Sequence, residues 1–362
     1  MATEDPRPAV DEALAQQTAA LREVARTVAP QAEPVVDVLE QMLNGGKRLR
    51  ASFTYWGWRV HGGEPGSDEA DAVVLVAAAH ELFQAAALIH DDVLDNSDTR
   101  RGKPAVHHVF AASHRDNALM GDPGWFGDAA AILLGDLAMV ACDAALASAL
   151  RDHPQGDAVR DVFNFMRAEV ELGQYLDLFS QARPWGAHDD DETLARQVIR
   201  TKSARYSVEH PLAIGALMAG ADDDQVAACR AIGLPLGEAF QLRDDVLGML
   251  GDPHVTGKPT GDDLLEGKRT IIVARAAKRA RTTGDEATLS LLAAVLGNRA
   301  ASPDDVARLT VAIETTGAIA DVEAMITRLS AQALALIDEQ GWPDPAASAL
   351  RTLAQSAVAR RA

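Results

Sequence analysis

Three carboxylates stand where a buried helix should carry none, in the run Leu88-Ile89-His90-Asp91-Asp92-Val93-Leu94-Asp95. Asp91 and Asp95 are four residues apart and so share a helix face, with Gln84 and Leu88 on the same stripe. Residues 72–79 upstream are almost wholly apolar or Ala, which predicts a buried helix. The turn-forming Asn96-Ser97-Asp98 follows at once. The acids therefore fall at the C-terminal, negative end of the helix dipole, where carboxylates are disfavoured. They need a compensating cation. Magnesium fits, being hard, oxygen-seeking and commonly shared between carboxylates and substrate phosphates.

A second set lies in Gln241-Leu242-Arg243-Asp244-Asp245-Val246-Leu247-Gly248. Gln241, Asp244, Asp245 and Gly248 follow the i, i+3, i+4, i+7 stripe of one helix face. A third acidic pair, Asp262-Asp263, follows in a predicted loop. Asp189–Asp191 and Asp222–Asp224 stand in polar surroundings and read as solvated faces.

Lysine usage is an independent sign. Of 34 basic residues only six are lysine: Lys47, Lys103, Lys202, Lys258, Lys268 and Lys278. Arginine is the default cation here, so lysine should mark places that need a compact ammonium, such as a phosphate oxygen. Lys47 lies in Gly45-Gly46-Lys47-Arg48-Leu49-Arg50, and Lys103 follows Arg100-Arg101-Gly102 just after the first acid run. Lys202 precedes Ser203, Lys258 and Lys268 bracket Asp262-Asp263, and Lys278 reads as surface. Acid clusters for magnesium with scattered Lys and Arg describe a diphosphate site. Bound metal inverts the local charge, so an acidic protein can hold an anionic substrate.

The elements that must position these residues read as helix after helix. The windows 68–95, 128–150, 156–180 and 222–250 lack internal Pro apart from Pro235, and their apolar residues recur at helical spacing. In one of them Phe163, Met166 and Val170 form a stripe, with Leu172, Leu176 and Phe179 on a neighbouring one. Segments 1–8, 112–127 and 181–191 read as loops. No strand-borne G-x-G-x-x-G and no P-loop occurs. His107 and His108 are adjacent, so they should point apart on a helix and form no metal pair.

Composition narrows the function. The 362 residues carry a net charge of −19, which argues against nucleic acid and against a polybasic membrane anchor. Only Cys142 and Cys229 occur, in no C-x-x-C, which excludes a disulfide framework and a cysteine zinc site and fits the cytoplasm. No stretch approaches ~20 uninterrupted apolar residues, so no membrane span is expected. Met1 to Pro8 contain no apolar run, so no leader peptide is expected.

As a set, and in this order, the motifs resemble those of the trans-polyprenyl diphosphate synthases (isoprenyl diphosphate synthases), over about Gly45 to Thr270. Gly45 to Arg50 is similar to the family's G-G-K-R-x-R. Asp91 to Asp95, followed by Arg100-Arg101-Gly102, is similar to its first aspartate-rich motif with its arginine pair. Gly173-Gln174-Tyr175-Leu176-Asp177 resembles G-Q-x-x-D, and Lys202-Ser203-Ala204 resembles K-T-[AG]. Phe240 to Asp245 resembles the second aspartate-rich motif, and Lys258 and Lys268 the two trailing lysines. Gly248 departs from it, standing where many members carry a third aspartate. Ser203 replaces a Thr, and Gln84 a frequent His.

The resemblance implies an all-α fold, a single domain of antiparallel helices around a central cavity, expected over residues 11–362, and residues 1–10 are expected to form a flexible N-terminus. It implies a homodimer. It also implies a magnesium-dependent condensation of isopentenyl diphosphate with an allylic diphosphate. Asp91, Asp95, Asp244 and Asp262 would then hold magnesium, with Asp92 and Asp245 in support. Arg100, Lys202, Lys258 and Lys268 would take the allylic diphosphate, and Lys47, Arg50, Gln84 and Arg101 that of isopentenyl diphosphate. Ser203 and Gln241 would face the allylic cation. For product length, Ala86 and Ala87 leave room below the metals, and Phe83, one turn deeper, is either a floor or plain core. Four residues of helix rise ~6 Å, about one isoprene unit. This favours geranylgeranyl diphosphate, with farnesyl or a longer product as alternatives. An inactive regulatory subunit is the non-enzymatic alternative.

Overall fold

The computed structural model describes residues 4–183, 191–251 and 261–359. In chain order the helices are α1 (Arg7–Val28), α2 (Glu33–Leu43), α3 (Leu49–Val60), α4 (Asp68–Leu94), α5 (Val106–Asp116), α6 (Pro123–Leu150), α7 (Gly156–Ala182) and α8 (Asp191–Val198). A π-helical segment, Ile199–Glu209, runs into α9 (His210–Met218). Then come α10 (Asp223–Leu250), α11 (Asp262–Glu266), α12 (Ile271–Thr283), α13 (Glu286–Val295), α14 (Pro303–Thr315), α15 (Ala318–Glu339) and α16 (Ala346–Val358). Among the described residues the only strands are β1 (Thr99–Arg100) and β2 (Lys103–Pro104), an antiparallel pair. The fold is all-α, as expected.

Contacts gather the chain into two units. The first comprises the chain up to Asp161 together with Pro211–Val226, and the second Val162–His210 with the chain from Ala227 on. In the first, α4 packs against α6, α3 and α1. Ser67 caps α4, its hydroxyl accepting from the Ala70 N–H at 3.2 Å, and Asp68, Glu69 and Asp71 suit the positive end of the dipole. Asp122 caps α6 in the same way, accepting from Trp125 N–H at 2.8 Å, with Pro123 opening the helix.

In the second unit the C-terminal helices bury the back of α10. Leu242, Val246 and Met249 share one apolar core with Ile272 and Val273 of α12, Leu292 of α13, Leu309 of α14 and Val322, Met325 and Leu329 of α15. Each such side chain contributes about 1.5–3 kcal/mol on burial. The region beyond Thr283, which carries no motif, thus fixes the helix bearing the second acid set.

Several expectations change. The chain is helical from Arg7, and Val10 is fully buried, so order begins inside the stretch expected to be flexible. Glu4 is tied down too: Tyr55 Oη and Arg59 Nε donate to it at 2.6 and 2.7 Å. The expected loop over 112–127 shrinks to 117–122, because α5 reaches Asp116 and Pro123 starts α6. Asp262-Asp263 open the short α11 rather than lie in a loop. In α7 the stripe Phe163, Met166 and Val170 is core, as is Val159 one turn before it, while Leu172 and Phe179 are exposed. The His107 and His108 rings do not point apart: their centroids are 4.1 Å from each other. His107 turns inward and His108 Nε2 lies 3.3 Å from Asp98.

By length and composition, α4 and α6 would each suffice to cross a membrane. A count of uninterrupted apolar residues misses this, because average hydropathy tolerates isolated acids such as Glu81 and Asp136. Within the protein, 67% of the apolar window of α4 and 44% of that of α6 is buried, and the two helices pack on each other.

Candidate active site

The first acid run ends α4 as its sequence predicts. Asp91 and Asp92 lie in the last turn, and Asp95 is the C-cap, its N–H donating to the Asp91 carbonyl at 2.8 Å. Asp92 and Asp95 are buried and Asp91 is half-buried. The compensating charge comes first from the chain itself. Arg100 Nε donates to Asp92 Oδ1 at 2.9 Å, and its Nη2 lies 3.5 Å from Asp91 Oδ2.

Arg100 reaches back because of the β1–β2 turn. Arg101 and Gly102 are the central residues, with φ of 53° and 72°, the signature of a type I′ hairpin. A non-glycine at positive φ is uncommon and draws attention to function. Here it carries Arg101 to the N-terminal glycine loop: a Cβ on Gly46 would sit 3.5 Å from both terminal guanidinium nitrogens of Arg101. Arg101 keeps contact with solvent, yet its pKa is held below the ordinary value. The cause is desolvation first, then the charges of Arg48, Arg100 and Arg50, opposed by Glu81. Four guanidinium groups are thus gathered beside the carboxylates of α4, an arrangement that calls for an anion.

Arg48 holds this loop together. With φ at 50° it buries its guanidinium, donating to Asp11 at 2.8 Å, to Glu81 at 3.4 Å and to the Leu43 carbonyl. Lys47 beside it is exposed and Arg50 half-buried. The structural use of Arg48 was not visible in the sequence, which shows only a basic run.

In the second unit, the π segment carries Lys202 and Ser203. It closes with the His210 N–H donating five residues back to the Arg205 carbonyl. A π turn is wider than an α turn and is often found at functional sites. Glycines let its neighbours approach. A Cβ on Gly173 would lie 2.6 Å from Lys202 N and 2.7 Å from Thr201 Oγ1, and one on Gly237 would lie 2.2 Å from the Ala204 carbonyl oxygen. The Lys202 ammonium pairs with Asp177 at 2.7 Å, so the G-Q-x-x-D and Lys202-Ser203 motifs are one contact. Arg196 and Arg200 clasp the buried Glu238 and tie this region to α10.

On α10, Gln241 Nε2 donates to Asp245 Oδ1 at 2.9 Å, so any role at a cation falls to its amide oxygen. Asp245 is buried and its carboxyl is pushed up to about 7 by that burial. The Gln241 hydrogen bond and Lys268 oppose the rise, and Asp263 and Asp244 add to it. Lys268 bridges Asp263 and Glu266. Lys258 lies outside the described residues.

The donor set fits magnesium. Its side chains offer carboxylate oxygen, and a nearby cation would favour the ionised form of the buried Asp245 carboxyl. Among the described residues no three His, Cys, Asp or Glu side chains form a cage. Magnesium needs none, since it keeps waters and takes one or two carboxylates plus substrate phosphates. A separate open cleft of about 610 Å³ is lined by Lys278, Arg275 and Arg279 and by none of the predicted site residues. Arg275 and Arg279 are already paired with Glu192 and Asp321 there.

The family model described as polyprenyl synthetase matches residues 32–313. The chain belongs to that family. Over 276 residues it is 35% identical to the geranylgeranyl diphosphate synthase of Mycobacterium tuberculosis, covering 76% of this chain and 69% of the relative. It is 30% identical over 354 residues to the (2E,6E)-farnesyl diphosphate synthase of Mycobacterium bovis, covering 95% and 90%. Among solved structures, a geranylgeranyl pyrophosphate synthase of Corynebacterium glutamicum, in complex with isoprenyl diphosphate and magnesium, superposes with a TM-score of 0.92. It is 39% identical and covers 98% of each chain. The polyprenyl synthetase described here is therefore an all-α trans-prenyltransferase, a prenyl diphosphate synthase of isoprenoid biosynthesis.

Proposed function

We propose that this synthase condenses isopentenyl diphosphate with an allylic diphosphate, using magnesium, and releases geranylgeranyl diphosphate. The Arg-Gly hairpin is the observation that carries the reading. Within one turn it ties Arg100 to Asp91 and Asp92 and brings Arg101 to the Gly46 loop and the Arg48–Arg50 charges. A metal-binding carboxylate pair and a second cationic cluster side by side suit a reaction with two diphosphates.

Asp91, Asp95, Asp244 and Asp262 would hold magnesium for the allylic diphosphate, with Asp92 and Asp245 in support. When bound, the metal neutralises the leaving diphosphate. Arg100, Lys202, Lys258 and Lys268 take the remaining oxygens, and Lys47, Arg50, Gln84 and Arg101 hold isopentenyl diphosphate. As the allylic carbon–oxygen bond breaks, Ser203 and the Gln241 oxygen stabilise the cation through their dipoles. The double bond of isopentenyl diphosphate attacks, and the proton leaves to the released diphosphate.

Product length follows α4. Ala86 is buried and Ala87 half-buried, and Phe83 is fully buried one turn before them. Ala87→Phe should shorten the main product by one isoprene unit, read by mass spectrometry. An unchanged product would remove this face from length control. Farnesyl diphosphate is the second reading, favoured by the relative from Mycobacterium bovis.

Residues 11–362 act as one synthase domain in a cytoplasmic homodimer, with α4 and α6 as core helices rather than membrane spans. Phe165, Leu172, Tyr175 and Phe179 form an exposed stripe on α7 suited to a second copy. The test is elongation of dimethylallyl, geranyl and farnesyl diphosphates by labelled isopentenyl diphosphate. Product should form with magnesium and fall to background with EDTA. No elongation by folded protein would favour the regulatory-subunit reading.

A further inference from the structure

The π segment changes which residues share a side of the chain. On an α-helix, residues five apart stand ~140° apart around the axis and point to different sides. Where the N–H of one residue bonds to the carbonyl five back, as His210 does to Arg205, the two stack one above the other. One carboxylate uses that stacking. Glu169 of α7 accepts from Arg205 Nη1 through Oε1 and from His210 Nε2 at 3.0 Å through Oε2. It ties together the side chains of the same pair whose backbone closes the π turn. Glu169 and His210 are almost shut off from solvent. Burial works against the Glu169 charge, but the bonds from His210 and Arg205 outweigh it, and the carboxyl is held below its ordinary value. An ionised carboxylate only accepts, so both partners donate. From α10, Arg230 Nη1 donates to Glu209 Oε1 at 3.3 Å, and a Cβ on Gly233 would lie 2.4 Å from Glu209 Cα. Further along α7, Asp177 takes the Lys202 ammonium, so α7 grips the segment at Lys202 and again at its closing turn. Glu169 stands outside every motif recognised in the sequence.

We infer that Glu169 is a positioning residue: its paired bonds to Arg205 and His210 select the π register, and that register sets where Lys202 and Ser203 stand. The inference rests on the reading that Lys202 takes the allylic diphosphate and Ser203 faces the cation. Four-residue bonding is the ordinary preference of a helix. A return to it at Arg205 and His210 would turn Lys202 and Ser203 about the axis by as much as one residue's step, ~100°.

The test is steady-state elongation by the full chain, with KM taken separately for geranyl diphosphate and isopentenyl diphosphate, beside thermal melting. Glu169→Ala should lower kcat by about tenfold or more and raise the geranyl diphosphate KM by about fivefold. The isopentenyl diphosphate KM should stay within about twofold of the parent, because Lys47, Arg50 and Arg101 belong to the first unit. Added to Lys202→Ala, E169A should cost less than about threefold more, since both changes act through one segment. Glu169→Gln offers one acceptor oxygen to two donors and serves if the alanine variant does not fold. Parental KM values with a kcat loss no larger than the loss of folded protein would overturn the inference and leave Glu169 a stability contact. Losses in E169A and K202A that simply multiply would overturn it too. If the parent elongates no primer, the functional reading fails instead.

Discussion

Asp91→Ala should lower the elongation rate by about 10³-fold and leave the melting temperature unchanged or slightly raised. The two halves of that expectation have separate causes. Asp91 is half-buried at the negative end of α4, beside Asp92 and Asp95, so in the resting protein it is one carboxylate too many. Arg100 is bonded mainly to Asp92 and keeps that partner when Asp91 is lost. The fold loses little, but in the proposed reaction the leaving diphosphate would lose an oxygen that helps hold its countercharge. Asp92→Ala makes the contrast. Asp92 has no exposed surface and holds the Arg100 guanidinium, and breaking such a buried pair costs about 3–5 kcal/mol. Neighbouring acids of one motif should thus separate: Asp91 by steady-state kinetics alone, Asp92 by kinetics and thermal melting together. Asp91→Ala retaining activity within about tenfold of the parent would remove the α4 carboxylates from the catalytic scheme.

Gly173→Ala should lower the rate by about 10²-fold, with a loss of about 1–3 kcal/mol of stability. On helix propensity alone the sign would be opposite, because Ala in mid-helix is better than Gly by about 1 kcal/mol. The added methyl would sit 2.6 Å from the Lys202 backbone nitrogen, where nothing soft can give way. The π segment must move off α7 and take the Lys202 ammonium from Asp177. A 1 Å displacement of a positioned group is enough for an effect of that size. Chemical denaturation and product assays on the same preparation test both halves. An alanine variant as active as the parent and more stable would show that the close approach is dispensable.

The long helices were legible in the sequence because their apolar residues keep one period over many turns, as in α4, α7 and α10. The acid sets were legible because carboxylates are costly among apolar neighbours. What escaped notice depends on contacts between segments distant in the chain. Arg48 is one residue of a basic run in the sequence, and its structural role shows only when Asp11, Glu81 and Leu43 are seen around it. The hairpin has four paired residues and too little length for a strand pattern, although Arg101-Gly102 is compatible with its turn. The π segment has the composition of an ordinary helix, and only the glycines facing it from α7 and α10 mark it. Nor does a sequence distinguish an apolar stripe that is core, such as Phe163-Met166-Val170, from one left on the surface.

The core behind α10 bears on how much chain the enzyme needs. The region that matches the family model stops at residue 313. Yet Val322, Met325, Ile326 and Leu329 belong to the same apolar cluster as Leu242, Val246 and Met249. Trimmed to the boundary of that match, the polypeptide would keep every predicted catalytic residue and expose the hydrophobic back of the helix that carries Gln241, Asp244 and Asp245. The smallest piece that contains the chemistry is shorter than the smallest piece that can fold around it.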